Sequence, residues 1–179
     1  MTSFSRGHDP SRVSTEELIL FLILQSRKDS IPRVKFEKML FILAKEVFHQ
    51  NLEELSFLPS PHGPHPVALD RIIPALMASR QLLVSHDQSL IEDPAKVSPK
   101  DSLQEALEVL SLTPFGLSKA SEVAGRLPFN LRDDASQRSA ALANLGLFGL
   151  MSYIDRTWGG NWRMDVRLPR AERLDAPSS

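Results

Sequence analysis

Between Leu18 and Leu24 the chain reads Leu-Ile-Leu-Phe-Leu-Ile-Leu without a polar break. Such a run wraps every face of a helix and predicts one at the centre of a fold. Ser14-Thr15-Glu16-Glu17 stands before it in capping-box form, with Ser14 placed to accept the Glu17 N–H and Glu17 placed to reach back. Ser30-Ile31-Pro32 breaks the pattern, so this helix is expected to stop near Lys28. A second helix is predicted from Val34 to His49. Phe36, Met39, Leu40, Leu43 and Val47 recur on one face, and Arg33, Lys35, Lys38 and Lys45 supply a basic outer side.

Phe57-Leu58-Pro59 leads into Ser60-Pro61-His62-Gly63-Pro64-His65, whose prolines and glycine predict a loop. Pro66 suits the first turn of a third helix, with Leu69, Ile72, Ile73, Leu76 and Met77 as its stripe and Pro74 expected to kink or weaken it. Gln81–Ser85 reads as a strand. Asp87–Ser102 is polar with Pro94 and Pro99 and reads as a loop, with a helical turn considered near Ser102–Leu107. Glu108–Leu112 alternates as a returning strand. Thr113-Pro114 is an N-cap followed by an N1 proline, opening a helix to about Arg126. After the Leu127-Pro128-Phe129 break, Asn130 and Asp133 start a last long helix carrying Ala141, Leu142, Leu145, Phe148, Leu150, Met151 and Ile154, ended by Gly159-Gly160. No internal repeat is present.

The expected fold class is therefore mainly α with a small β-hairpin (α+β). Three helices, a strand, a loop and a second strand follow the order of a winged helix, the third helix in the recognition position and the strands forming the wing. Two further helices pack behind. Residues 1–12 read as a disordered lead, 13–158 as one domain, and 159–179 as a flexible tail.

The totals change this picture only at its edges. The 179 residues suffice for one sizeable core. The net charge of −1 sets the whole chain apart from the basic domains that bind nucleic acid, while leaving a local basic face open. Cysteine is absent, which excludes disulfides, thiol catalysis and thiolate-ligated zinc. No stretch approaches the ~20 apolar residues of a membrane span, and the start of the chain lacks a secretory apolar segment. A cytoplasmic location is expected.

Several segments, in this order, resemble the Panacea-domain antitoxin family. Lys35-Phe36-Glu37-Lys38-Met39-Leu40-Phe41-Ile42 resembles its "K-L-x-K-L-L-Y" second helix. Phe57 to Pro66 is similar to its "F-x-x-x-x-Y-G-P-Y-S" loop, with His62 and His65 where aromatic residues are usual. Ile72–Val84 resembles "I-x-x-L-x-x-x-G-L-I", Leu112-Thr113-Pro114-Phe115-Gly116 resembles "L-T-x-x-G", and Tyr153–Trp158 resembles "Y-V-Y-x-x-Y-P" without its proline. The resemblance implies a helical, winged-helix-like antitoxin or regulator that acts through a protein partner. It assigns no partner-binding residue.

Candidate chemistry follows from the residues alone. His62 and His65 form an H-x-x-H pair that lacks the third and fourth ligands of a metal site, for which Asp70 or His86 would be needed. The pair reads better as part of a turn that positions the third helix or faces a partner. With Asp70, Arg71, Trp158 and Trp162 it makes up the candidate protein-binding set. The alternative, a DNA-binding transcription regulator, would use Arg33, Lys35, Lys38 and Arg71, with Lys96 and Lys100 on the wing, to displace counterions from phosphates. A structural subunit of a larger assembly is the third possibility. Gly146 and Gly149 would permit close helix approach, expected within the chain. No G-x-G-x-x-G, P-loop, G-x-S-x-G or H-E-x-x-H is present, and Asp133-Asp134 suits a helix first turn. No catalytic residue and no cofactor are expected.

Overall fold

Ser14 closes the predicted capping box: its Oγ accepts the Glu17 N–H at 3.2 Å, and the Glu17 carboxylate accepts the Ser14 N–H at 3.0 Å. In the computed structural model, which describes residues 13–26, 29–48, 54–60, 62–87 and 108–159, this box opens α1 (Thr15–Gln25). Leu18 to Ile23 are buried on every side, as the unbroken apolar run requires. The chain continues through β1 (Ile31–Pro32), α2 (Arg33–Leu43), a π-helical turn (Ala44–Phe48), β2 (Phe57–Ser60), β3 (Gly63–Pro66), α3 (Leu69–Ala78), β4 (Leu82–His86), β5 (Glu108–Leu112), α4 (Pro114–Arg126), α5 (Phe129–Ala143) and α6 (Leu147–Trp158). The architecture is mainly helical with small antiparallel sheets.

α1 packs against α4 and α5, and α2 against β3, α5 and α6. Phe21, Phe36 and Phe41 are fully buried where these helices meet, each contributing roughly 1.5–3 kcal/mol of burial free energy. β1, β5 and β4 form one antiparallel sheet in that order, with Ile31 opposite Leu110 and Val84 opposite Leu110 from the other side. β5 covers the residues its alternation predicts, and β4 is displaced by one residue from the expected strand. Among the described residues no helix is long and apolar enough to cross a membrane. The 87–102 loop lies mostly outside the described residues, as do the lead and the tail.

Four expectations need correction. Residues 57–66 form a hairpin rather than a loop: Phe57 faces Pro66, Leu58 faces His65, Pro59 faces Pro64 and Ser60 faces Gly63. Prolines are poor strand formers because they lack the N–H of the ladder. Here two of them face each other, a placement that suits the non-hydrogen-bonded pairs of an antiparallel ladder, where no N–H is exchanged. Gly63 allows the tight turn with φ +92°, and a Cβ there would also meet Met151 Cε of α6 at 2.5 Å. Second, α3 starts at Leu69, not Pro66, and runs on past Pro74 to Ala78. Third, Ile31–Pro32, read only as a break, also pairs with β5; two residues are too few to show a period.

Fourth, the last long helix is two. α5 ends at Ala143, and α6 begins after Asn144-Leu145-Gly146, with Gly146 as its N-cap. The apolar positions kept helical spacing across this corner, which hid the break. Other ends shift as well: α1 stops at Gln25 rather than Lys28, α2 gives way to the π-helical turn after Leu43, and α5 begins at Phe129 after Pro128 with no side-chain cap, so Asn130 does not start it. The caps at Thr113 and Gly159 follow their signals. Thr113 Oγ1 accepts the Gly116 N–H at 3.0 Å and donates to the Arg80 carbonyl at 2.6 Å, so the cap of α4 is tied to the end of α3. Gly116 is required by space, since any Cβ would run into the Gln81 carbonyl. Gly159 ends α6 with φ +81°.

Candidate functional site

α2 opens with an arginine directed inward. Val34, Phe36 and Met39 through Ala44 are buried around the helix, so α2 has almost no outer side on which basic residues could be displayed. Arg33 is 7% exposed, and its guanidinium reaches three carboxylates from three elements. It donates to Glu37 one turn on at 3.2 Å, to Asp70 in the first turn of α3 at 2.5 Å, and to Glu108 at the start of β5 at 2.7 Å. Lys38, with no exposed surface, donates to the Pro64 carbonyl of β3 at 2.9 Å and lies 3.3 Å from Glu37. His65 of β3 completes the cluster, with Nε2 3.2 Å from Asp70 and Nδ1 3.5 Å from Glu37. With His65 protonated, Arg33, Lys38 and His65 balance Glu37, Asp70 and Glu108.

The protonation states follow from this geometry. The hydrogen bond to Glu37 raises the His65 pKa; burial opposes it, and the Glu37 charge together with the Asp70 contact carries it to about 9. Burial alone would push the Glu37 carboxyl up. The His65 hydrogen bond and the charges of Lys38, His65 and Arg33 outweigh it and hold the group below its ordinary value. Unpaired, charges at this depth would cost several kcal/mol each. The network thus clamps β3, α3 and β5 to α2.

The expected basic face is therefore overturned. Arg33 and Lys38 are buried, and Lys35 donates to the Ala143 carbonyl at 2.7 Å, where a cation meets the negative end of α5. Of the four basic residues, only Lys45 is exposed, its ammonium 5.8 Å from the Phe41 ring centre. The H-x-x-H pair is also split in role: His62 is exposed at the hairpin turn, while His65 engages Glu37 and Asp70. Among the described residues no group of three or more His, Asp or Glu is arranged to hold a metal ion. Asp70 is half exposed but already accepts from Arg33 and His65; Arg71 is exposed on α3.

Trp158 is half-buried and stands edge-on to Phe41 at 5.3 Å and to Tyr153 at 5.8 Å between ring centres. It seals the core at the end of α6 rather than projecting as an anchor. Beside it, Glu46 of the π-helical turn accepts from Arg138 at 2.6 Å and from the Tyr153 hydroxyl at 2.5 Å. Trp162, Lys96 and Lys100 lie outside the described residues.

Glu37 and Glu108 are the members of the cluster that sequence reasoning passed over. The signal for Glu37 was its i,i+4 spacing from Arg33. For Glu108 there was none, because its contact with Arg33 spans the fold. Two clefts lie elsewhere and include no cluster residue. One, of about 450 Å³, is lined by Ile23, Leu24, Asp29, Leu112, Thr113, Pro114 and Leu117. The other, of about 430 Å³, is lined by Glu46, Val47, Asp134, Gln137, Arg138 and Ala141. Each of the three carboxylates in the cluster is held by a cation, and none lines either of these two clefts. No model of a known protein family, no curated protein and no solved structure matches the chain.

Proposed function

We propose that this chain is a non-enzymatic regulatory protein of the antitoxin-like kind, acting by binding a protein partner in the cytoplasm. The observation that carries the reading is the buried ion cluster. Its carboxylates and cations are directed at one another, and its effect is to hold the β2–β3 hairpin and α3 in one fixed arrangement. Buried ion pairs add little net stability over apolar packing; a fixed surface is what such a network supplies here. That surface carries Leu58 and His62 on the hairpin, Val67 after it, and Arg71 and Met77 on α3, all exposed. A rigid surface of mixed apolar and polar side chains suits a protein partner, because little ordering entropy remains to be lost on binding.

Affinity capture from a lysate of the source cells, with and without nuclease, tests it. The expected result is a stoichiometric protein partner that survives nuclease and is lost with Leu58→Asp or Arg71→Glu. Capture that needs intact nucleic acid, or that persists in both variants, would sink the reading. Identification of the partner separates a toxin from the neighbours in a larger assembly.

The second reading, a winged-helix transcription regulator, is favoured by topology. The order α1-β1-α2-α3-β4-β5 with the sheet β1-β5-β4 resembles that of winged-helix DNA-binding domains, with a π-helical turn and the β2–β3 hairpin inserted between α2 and α3, and in that reading α3 would be the recognition helix. Against it stands the inward direction of Arg33, Lys35 and Lys38. Its test is salt-dependent binding to duplex DNA that Arg71→Glu abolishes.

A further inference from the structure

α1 ends at Gln25 and β1 begins at Ile31. Asp29 stands on the turn between them and forms one wall of the cleft of about 450 Å³; the end of α1, the end of β5 and the start of α4 form the others. These other walls are mostly hydrocarbon. Ile23 is buried, Leu24 and Leu112 are half-buried, and Pro114 and Leu117 are exposed. A concave site of this size, apolar with few polar groups, is the form that small-molecule sites take.

Two polar side chains line it, and only one is free to receive a ligand. The Thr113 hydroxyl is engaged, accepting the Gly116 N–H at 3.0 Å and donating to the Arg80 carbonyl at 2.6 Å. Asp29 is the one charged residue among the described lining. It is exposed, and it makes no hydrogen bond or ion pair with a described residue.

The backbone favours the same sign of ligand. Ile23 and Leu24 belong to the last turn of α1, whose carbonyls form its negative pole. The positive pole of α4 is largely answered within the chain. Pro114 has no N–H, and Thr113 accepts those of Gly116, through Oγ1, and Leu117, through its carbonyl at 2.8 Å. What remains in the cleft is an apolar wall and an unpaired negative charge.

We infer that this cleft binds a small apolar molecule carrying a protonated amine. Its hydrocarbon lies against Ile23, Leu24, Leu112 and Leu117, and its ammonium meets the Asp29 carboxylate. Burial of hydrocarbon supplies most of the affinity. An ion pair at an exposed carboxylate adds little by itself, so Asp29 chooses among apolar ligands by charge. The site is independent of the hairpin surface proposed above, which lies on other elements.

Amide NMR titration of the full chain with phenethylamine, phenethyl alcohol and phenylacetate tests it, since these probes share a ring and differ in charge. The expected result is saturable shifts at Ile23, Leu24, Leu112 and Leu117 with the amine, which binds about three- to tenfold more tightly than the alcohol or the acid. Asp29→Asn removes that preference and keeps the hydrocarbon contact. Leu117→Arg, which places a cation and a longer side chain in the cleft, abolishes binding of the amine. Both positions are exposed, so neither variant disturbs the core. Equal binding of the three probes, or a preference that survives Asp29→Asn, reduces the cleft to an adventitious apolar contact and overturns the inference. So does the absence of saturable shifts at these residues up to about 10 mM amine.

Discussion

At the start of α2 the chain buries charge, and at the α5–α6 corner it exposes hydrocarbon. The two regions invert the ordinary rule in opposite directions, and the outcome differs because one is closed and the other open. Arg33, Glu37, Lys38 and His65 meet their counterparts within the fold, along with Asp70 and Glu108. Two members of the basic set that the sequence offers for phosphate, Arg33 and Lys38, are therefore parts of a structural clamp. Leu145, Leu147 and Phe148 have no such counterpart among the described residues, and water is a poor one. A buried charge thus informs on how a surface is held, and an exposed apolar group on where a surface is used.

The largest expected effect breaks the closed region. Lys38→Met removes one cation from under the hairpin and leaves Glu37 with fewer counter-charges, which is expected to destabilise the chain by about 3–5 kcal/mol in urea unfolding. Glu37→Leu with Lys38→Met is expected to cost less than the sum of the single variants, because the two groups share one network. Additive effects would mean that the cluster is not coupled.

A pH titration of stability sharpens the same point. The folded pKa of His65, about 9, lies above the ordinary 6.5, so its contribution is fully present below pH 6.5 and disappears as pH rises through 9. Glu37 is shifted down, so its contribution is present above its ordinary 4.5 and is lost as pH falls through the lower folded value. The cluster should therefore stabilise best between about pH 4.5 and 6.5, and His65→Gln should flatten the decline between 6.5 and 9. An unchanged slope in that variant would place the titrating group elsewhere.

The smallest effects belong to the open region. A Cβ on Gly149 would make only ordinary contact with Leu145, at 3.5 Å. Gly149→Ala is therefore expected to gain about 0.5–1 kcal/mol, while Phe148→Asp should stay within about 0.5 kcal/mol, both by thermal unfolding. A large loss from Phe148→Asp would show that the ring is covered in solution.

Much of the fold was legible along the chain. The capping box at Ser14, the cap and proline at Thr113-Pro114, the alternation of Glu108–Leu112 and the stop at Gly159 are local signals, and each sits where local chemistry puts it. The hairpin was hidden because proline content argues for a loop, and only register shows that Pro59 and Pro64 face each other. The α5–α6 break was hidden because its apolar spacing continued through the corner. For the candidate site, residue types were visible and directions were not. A lysine in an apolar helix is read as facing water, and Lys38 faces Glu37 and Pro64 because β3 arrives 26 residues later to receive it.

The sequence by itself determined the absence of thiol chemistry, through composition alone, and the mainly helical fold with the caps at Ser14, Thr113 and Gly159, because these depend on neighbours a few residues apart. Only the tertiary structure decided which charges are consumed inside and which apolar residues are left outside. Both depend on what is brought together across the chain, Arg33 with Glu108 over a separation of 75 residues and Phe148 with no cover among the described residues, and no local pattern encodes either.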